Sequence, residues 1–333
     1  MPEITTEDKP PVALDEEQQA ISLDEGDWDN LLENIEAGSC TPFLGAGACV
    51  PLLPSASQLA KEWAEKYGYP LEDCGDLSRV AQFLATTRSN TFPKLQIKKK
   101  FDAILSPDLR TENDLHELLA GLPLPVYVTT NYDDLMFRAL RAKDKNPKQE
   151  LCRWNNLIKQ SFPSIYESDP DFQPSGSSPL VYHLHGGIQF PPSLVLTEDD
   201  YLDFLINMDE KLLPPRIEEA FTGASILFLG YGLNDWNFRL LFRTMVTYMQ
   251  RSTIQTHVSV QLVPLGKSVP EARKKEALKY LDDYYYKLNI KVYWGTCKQF
   301  TNDLRRRWSA LHGTAGAKSQ AQTAGSGTTQ GGG

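Results

Sequence analysis

Cys40-Thr41-Pro42-Phe43-Leu44-Gly45-Ala46-Gly47, residues 40–47, runs a short apolar stretch straight into a glycine turn. The run is too short for a helix that buries a face, and the glycines end it. It therefore predicts a short buried strand, Cys40–Leu44, opening into a loop. The same arrangement recurs three times. Thr129-Thr130-Asn131-Tyr132-Asp133 closes the run Pro125–Thr129, His183-Leu184-His185-Gly186-Gly187 closes Leu180–Leu184, and Phe228-Leu229-Gly230-Tyr231-Gly232-Leu233-Asn234-Asp235 closes Ile226–Leu229. Apolar runs that end in turns and alternate with helical patterns imply an α/β fold: a mostly parallel sheet with helices on both faces. Such sheets bind ligands outside the carboxyl ends of their strands, where all four motifs fall.

Outward from these runs the chain keeps alternating. Helices are expected at Trp28–Ala37 with Asp27 as N-cap, at Ser57–Tyr67 with Ser57 as N-cap, and at Asp76–Thr86, Asp114–Leu119 and Tyr132–Leu140. Later ones are expected at about Trp236–Tyr248, Val269–Leu288 and Phe300–Leu311, with further strands at His257–Val263 and Ile290–Trp294. The stretches 68–122 and 141–178 carry no strong strand signal. They are expected to be a helical insertion and a long loop within a domain spanning 26–312, segments of the kind that close over a cleft or meet a partner. Residues 1–25, acidic and proline-containing, are expected to form a flexible arm. Residues 313–333 have too few sizeable apolar side chains to offset their ordering entropy and are expected to be a disordered tail.

Composition narrows the function. The chain has 333 residues, 41% of them hydrophobic, enough for one large domain. A formal net charge of -9 leaves no general footprint for nucleic acid, so no direct nucleic-acid binding is expected. Lys98-Lys99-Lys100 and Arg305-Arg306-Arg307 fit solvent-facing clusters better than phosphate contacts. Five cysteines, at 40, 49, 74, 152 and 297, form no CxxC pair, so no metal site is expected. The odd cysteine count and the lack of a signal-peptide pattern favour a cytoplasmic setting. No apolar run reaches the roughly 18–20 residues of a membrane helix, so no membrane association is expected.

The motifs carry chemistry at different strengths. Gly45-Ala46-Gly47 lets backbone amides approach a pyrophosphate, but the full GxGxxG pattern is missing because position 50 is Val, and a phosphate-binding P-loop is excluded. A tight strand-to-loop turn explains it equally well. Thr130 and Asp133 fit helix capping and a favourable first-turn carboxylate, whereas Asn131 is harder to explain that way. An amide there can orient a water or a ribose hydroxyl. His185, ahead of Gly186-Gly187, belongs in a turn at a strand end, where an imidazole can act as a base near neutral pH. His183 is expected to pack or hydrogen-bond beneath it. In the last motif Gly230 allows close ligand approach and Asn234 or Asp235 caps a helix, while Arg239 and Arg243 share a helical face and either meet phosphate or pair with surface acids. Together the motifs suggest an enzyme that acts on a dinucleotide.

These motifs, in this order over roughly residues 38–300, resemble the sirtuin superfamily, and most closely its bacterial sirtuin-like branch associated with phage defence. The resemblance implies a Rossmann-like fold that binds NAD. It places Gly45, Ala46, Gly47 and Cys49 in the segment cradling NAD, with Cys49 where the family usually has Ser. Thr130, Asn131 and Asp133 fall in the TQN-x-D segment, with Thr130 replacing Gln. His185 matches the catalytic His, and Gly230, Tyr231, Asn234 and Asp235 the later loop on the adenosine side. The four-cysteine zinc module and the GIPDFR stretch of protein-deacetylating sirtuins are not matched, so neither zinc nor protein deacetylation is expected.

The resemblance then implies an NAD hydrolase that releases nicotinamide and ADP-ribose, with Asn131, His185 and Asp133 as the catalytic set. A toxic activity of this kind needs gating. That implies a homo-oligomer or a separate regulatory protein, such as a HerA-like ATPase or an Argonaute-like partner. A non-catalytic NAD or ADP-ribose sensing module, a structural assembly subunit and a zinc-free deacylase are the alternatives.

Overall fold

Inward-facing residues alternate along each central strand. Val126 and Val128, Leu180 and Tyr182, and Ile226 and Phe228 fall in one buried cluster, while Tyr127, Val181, Leu227 and Leu229 fall in another. A strand whose both faces are buried in this way must lie in a sheet covered on both sides. The computed structural model shows that sheet. It describes residues 23–105, 114–208, 214–232, 256–262 and 269–324.

Seven strands run in the order β3-β4-β2-β1-β5-β6-β7, and all six neighbouring pairs are parallel. They are β1 (Cys40–Leu44), β2 (Val126–Thr129), β3 (Lys148–Leu151), β4 (Leu180–His183), β5 (Ser225–Leu229), β6 (His257–Gln261) and β7 (Ile290–Trp294). The strand order turns at β1. From there β2, β4 and β3 build outward on one side, while β5, β6 and β7 build on the other. That reversal opens a crevice at the carboxyl ends of the central strands.

One face of the sheet is covered by α1 (Glu25–Glu36), α5 (Asp114–Gly121), α6 (Leu135–Ala142) and α12 (Cys297–Ala324), through Trp28, Leu119, Leu140 and Phe300. The other is covered by α7 (Asn156–Ser161), α9 (Glu198–Met208), α10 (Pro215–Thr222) and α11 (Glu271–Tyr286), through Ile158, Phe204, Ile217 and Leu278. Between them α8 (Ile165–Ser168) sits beside β3. A third cluster belongs to α2 (Ala56–Tyr67), α3 (Leu77–Thr87) and α4 (Phe92–Ile104), which pack Trp63, Leu84, Ile97 and Phe101 against Leu194 and Leu196 of the β4–α9 connection. Burying each such side chain contributes about 1.5–3 kcal/mol.

Local chemistry moves several expected boundaries. Asp24 rather than Asp27 caps α1, and Ser55 rather than Ser57 caps α2; each forms a reciprocal box with the residue three positions on. The helix after β2 starts at Leu135, later than the expected Tyr132, because Asp133 spends its Oδ1 on the Leu135 N–H. The stretch 141–178 is not simply a loop: Lys148–Leu151 pairs with β4 as an edge strand. The last helix extends beyond the expected Leu311 to Ala324. The expected helix at about 236–248, with Arg239 and Arg243, lies outside the described residues. Among the described residues no helix is long and apolar enough to cross a membrane.

Candidate active site

The loops leaving β1, β2, β4 and β5, four adjacent strands, surround one cavity of about 1010 Å³. Its volume is at the upper end of ligand pockets, which hold about 300–1,000 Å³. Ala46 and Cys49 line it from the first loop, Thr130, Asn131, Tyr132 and Asp133 from the second, His185 from the third, and Gly230 and Tyr231 from the fourth. The stretch 53–59, the insertion and the region of α9 supply the rest, including Asp76, Arg79, Glu198 and Tyr201.

Gly45 and Gly47 stand behind this lining. Gly45 N–H donates to Leu229 O at 2.8 Å and Gly47 N–H to Gly230 O at 2.9 Å, stitching the first loop to the fourth. Gly230 completes the junction with a φ of +79°, and a Cβ there would run into the Ala48 backbone nitrogen. The glycines expected to cradle a ligand here bring two loops together so that their neighbours face the cavity. Tyr231 adds its hydroxyl, which donates to Leu44 O at 2.9 Å and lies 2.9 Å from Thr130 Oγ1.

Asn131 is buried at 8% exposure, and its orientation is determined by its neighbours. A carbonyl oxygen only accepts, so the amide atom 3.0 Å from Gly45 O must be Nδ2. The same Nδ2 also donates to Cys49 Sγ at 3.1 Å. Both of its hydrogens are then used, which leaves Oδ1 as the polar atom available to a ligand. Asp133 is engaged on both oxygens, Oδ1 by Leu135 N–H at 3.0 Å and Oδ2 by the Cys49 thiol at 3.3 Å. Burial raises the Asp133 carboxyl above its ordinary range.

His185 follows the end of β4, in a turn that Gly186 makes at a φ of +80°. A side chain at Gly186 would collide with the Ser193 carbonyl. The imidazole edge packs against the rings of Tyr201 and Phe204 on α9, at centroid distances of 5.4 and 5.1 Å. Its Nε2 has no hydrogen-bond partner among the described residues. Burial pushes its pKa down to about 3, so the ring is neutral at physiological pH. His183 lies two residues earlier, at the end of β4, with burial lowering its pKa to about 4.

Sequence reading missed the cavity's outer wall. Arg79 on α3 meets Asp73 at 2.6 Å and Glu198 at 3.3 Å, and Gln82 pairs with Asp199 through two hydrogen bonds, which joins α3 to the start of α9. No local motif marks these residues, because their meeting depends on how the insertion folds over the sheet. Asn234 and Asp235 lie outside the described residues. Among the described residues no three His, Cys, Asp or Glu side chains form a group able to hold a metal ion.

Residues 125–288 match the family described as SIR2-like domain. The chain is 27% identical over 215 residues to NAD(+) hydrolase ThsA of Enterococcus faecium, covering 62% of this chain and 39% of that protein. It is 26% identical over 186 residues to the protein of the same name from Bacillus cereus (strain MSX-D12), covering 55% and 34%. Against Defense-associated sirtuin 2 of Bacillus subtilis it is 25% identical over 147 residues, covering 42% and 13%. The match thus spans well under half the length of each of these relatives. The doubly wound sheet, the strand-end motifs around one cavity and these similarities together show that the chain carries a SIR2-like domain, homologous to ThsA and the defence-associated sirtuins.

Proposed function

We propose that the cavity binds NAD and hydrolyses the bond between nicotinamide and ribose. The observation that carries this reading is the convergence of Asn131, with Oδ1 available, and His185, neutral with a free Nε2, on one cavity at the strand-order reversal. The similarity to relatives named as NAD(+) hydrolases supports NAD as the substrate.

In this mechanism Asn131 Oδ1 accepts a hydrogen bond from the attacking water or from a ribose hydroxyl and so fixes it at C1′. The bond from C1′ to the nicotinamide nitrogen breaks with its electron pair moving to the ring, which leaves neutral and needs no acid. Water oxygen bonds to C1′, and His185 takes the proton that the water releases. Asp133, with both oxygens engaged, shapes the Asn131 loop rather than stabilising positive charge. Ala46, Thr130, Gly230 and Tyr231 contact the dinucleotide. Products are nicotinamide and ADP-ribose.

Such an activity depletes a cell's NAD, so its role is that of a defence effector held in check by self-association or by a separate protein. The partners to test include a HerA-like ATPase and an Argonaute-like protein. The insertion over 68–122 and the segment 141–178 are the contact surfaces to test.

The test is incubation with NAD, with the chain alone and with candidate partners, while free nicotinamide is followed. His185→Ala and Asn131→Ala should each reduce turnover by about 10²–10⁴-fold while keeping the wild-type unfolding transition. NAD binding with no nicotinamide release under any of these conditions would replace the hydrolase with a sensing module.

A further inference from the structure

The buried side chains around the cavity form a chain of contacts that ends on Asn131. Asp133 Oδ2 accepts from the Cys49 thiol at 3.3 Å, and Cys49 Sγ in turn accepts from Asn131 Nδ2 at 3.1 Å. The three residues come from two loops, with Cys49 and Asn131 82 positions apart in sequence. All three line the cavity and all are buried. We infer that Cys49 is a positioning residue: its thiol bridges Asp133 to Asn131 and so holds the Asn131 amide with Oδ1 toward the ligand. The inference rests on the hydrolase reading for its effect on rate, though not for the bridge itself.

A single anchor does not hold an amide. Gly45 O fixes one Nδ2 hydrogen, and the amide can still swing about that bond. The second hydrogen, on Cys49 Sγ, defines its plane. The sulfur is held in its turn, because its own hydrogen is committed to Asp133, and Asp133 is tied to the start of α6 by the Leu135 N–H. The bridge therefore connects the first turn of α6 to the Asn131 amide.

The alternative role for a cysteine lining a cavity is nucleophilic attack, which requires a thiolate. Burial, then the neighbouring Asp133 charge, push the Cys49 thiol well above its ordinary pKa. The sulfur keeps its proton, as a donor to Asp133 must. A neutral thiol that both donates and accepts performs the same two tasks as a hydroxyl, whereas a methyl or isopropyl group performs neither.

The experiment compares Cys49→Ser and Cys49→Ala in NAD turnover and in the exchange of the Asn131 side-chain amide protons, read by NMR on the ligand-free protein. Cys49→Ala should lower kcat by tenfold or more with KM within about twofold, and its Asn131 protons should exchange rapidly. Cys49→Ser should recover most of the rate and the protection. If Cys49→Ala does not fold, the near-isosteric Cys49→Val and Cys49→Thr take its place, with Thr expected to retain the bridge and Val to lose it. Wild-type kcat in the Ala or Val variant overturns the inference. So does lost turnover with Asn131 protons still protected. Protection that follows the bridging group in a chain that releases no nicotinamide, alone or with any candidate partner, would uphold the bridge and reject the hydrolase reading.

Discussion

Gly230 shows how much a single backbone position carries. Its φ of +79° lies in the left-handed region, and the space beside it is filled by backbone of the first loop. Gly232, two residues on, has no atom of the described residues within 4 Å of its would-be Cβ. Gly230→Ala should lower unfolding stability by about 2 kcal/mol in urea titration, through strain and displaced backbone. Gly232→Ala should shift it by less than about 1 kcal/mol. Equal effects would show that the loop junction is not the constraint. At this scale the sequence was informative about identity and silent about orientation. Asn131 and His185 stood out because an amide and an imidazole at strand ends are not explained by capping alone. Which atom of the Asn131 amide faces the cavity was unreadable, because Gly45 and Cys49 decide it from a loop 82 residues away along the chain.

Among the elements, α9 is placed by contacts that no periodicity announces. Asp200 accepts from the Leu196 and Thr197 N–H groups at 3.1 and 2.9 Å and pairs with Lys94 of α4 at 2.7 Å. Both side chains are largely buried, at 9% and 13% exposure, and the Lys94 ammonium lies 5.5 Å from the Trp154 ring centroid. Removing one charge leaves the other stranded, so Asp200→Ala should cost about 3 kcal/mol. Adding Lys94→Met to that variant should recover part of the loss, because the remaining buried charge goes with it. Additive losses in the double variant would show that the two groups are not coupled. Because Tyr201 and Phe204 follow Asp200 on α9, the same ion pair helps to seat the His185 ring.

Element type was legible wherever burial imposed a period. The strand expected at Ile290–Trp294 forms with those bounds, since its inward residues Ile290, Val292 and Trp294 alternate. β3 was not legible. Lys148 is exposed, Gln149 half-buried, and only Glu150 and Leu151 are buried, a polar composition typical of an edge strand shielded on one side only.

Across the whole molecule, buried histidines make stability depend on pH. Burial lowers His116, His183 and His257 to about 4 and His185 to about 3, against an ordinary value of 6.5. Between those values the unfolded chain binds more protons than the folded one, so each histidine destabilises the fold as pH drops below 6.5. The slope approaches about 1.4 kcal/mol per pH unit per group. Asp133, Glu150 and Asp282, the last raised to about 6, oppose this because burial favours their protonated forms. Among the described residues four histidines stand against three carboxylates, which leaves a net loss on acidification. The melting temperature should be level above about pH 6.5 and fall between pH 6 and 4.5. A melting temperature that holds or rises over that interval would contradict the burial of these rings.

The sequence by itself determined the class of fold and where its strand-end loops fall. Those properties are local: alternation reports burial on two faces, and glycines mark where strands stop. Only the tertiary structure decided that four loops share one cavity, that the Asn131 amide nitrogen is held by Gly45 and Cys49, and that α3 and α9 form the outer wall. These follow from strand order and from contacts between distant segments, and no short window of sequence holds both partners of such a contact.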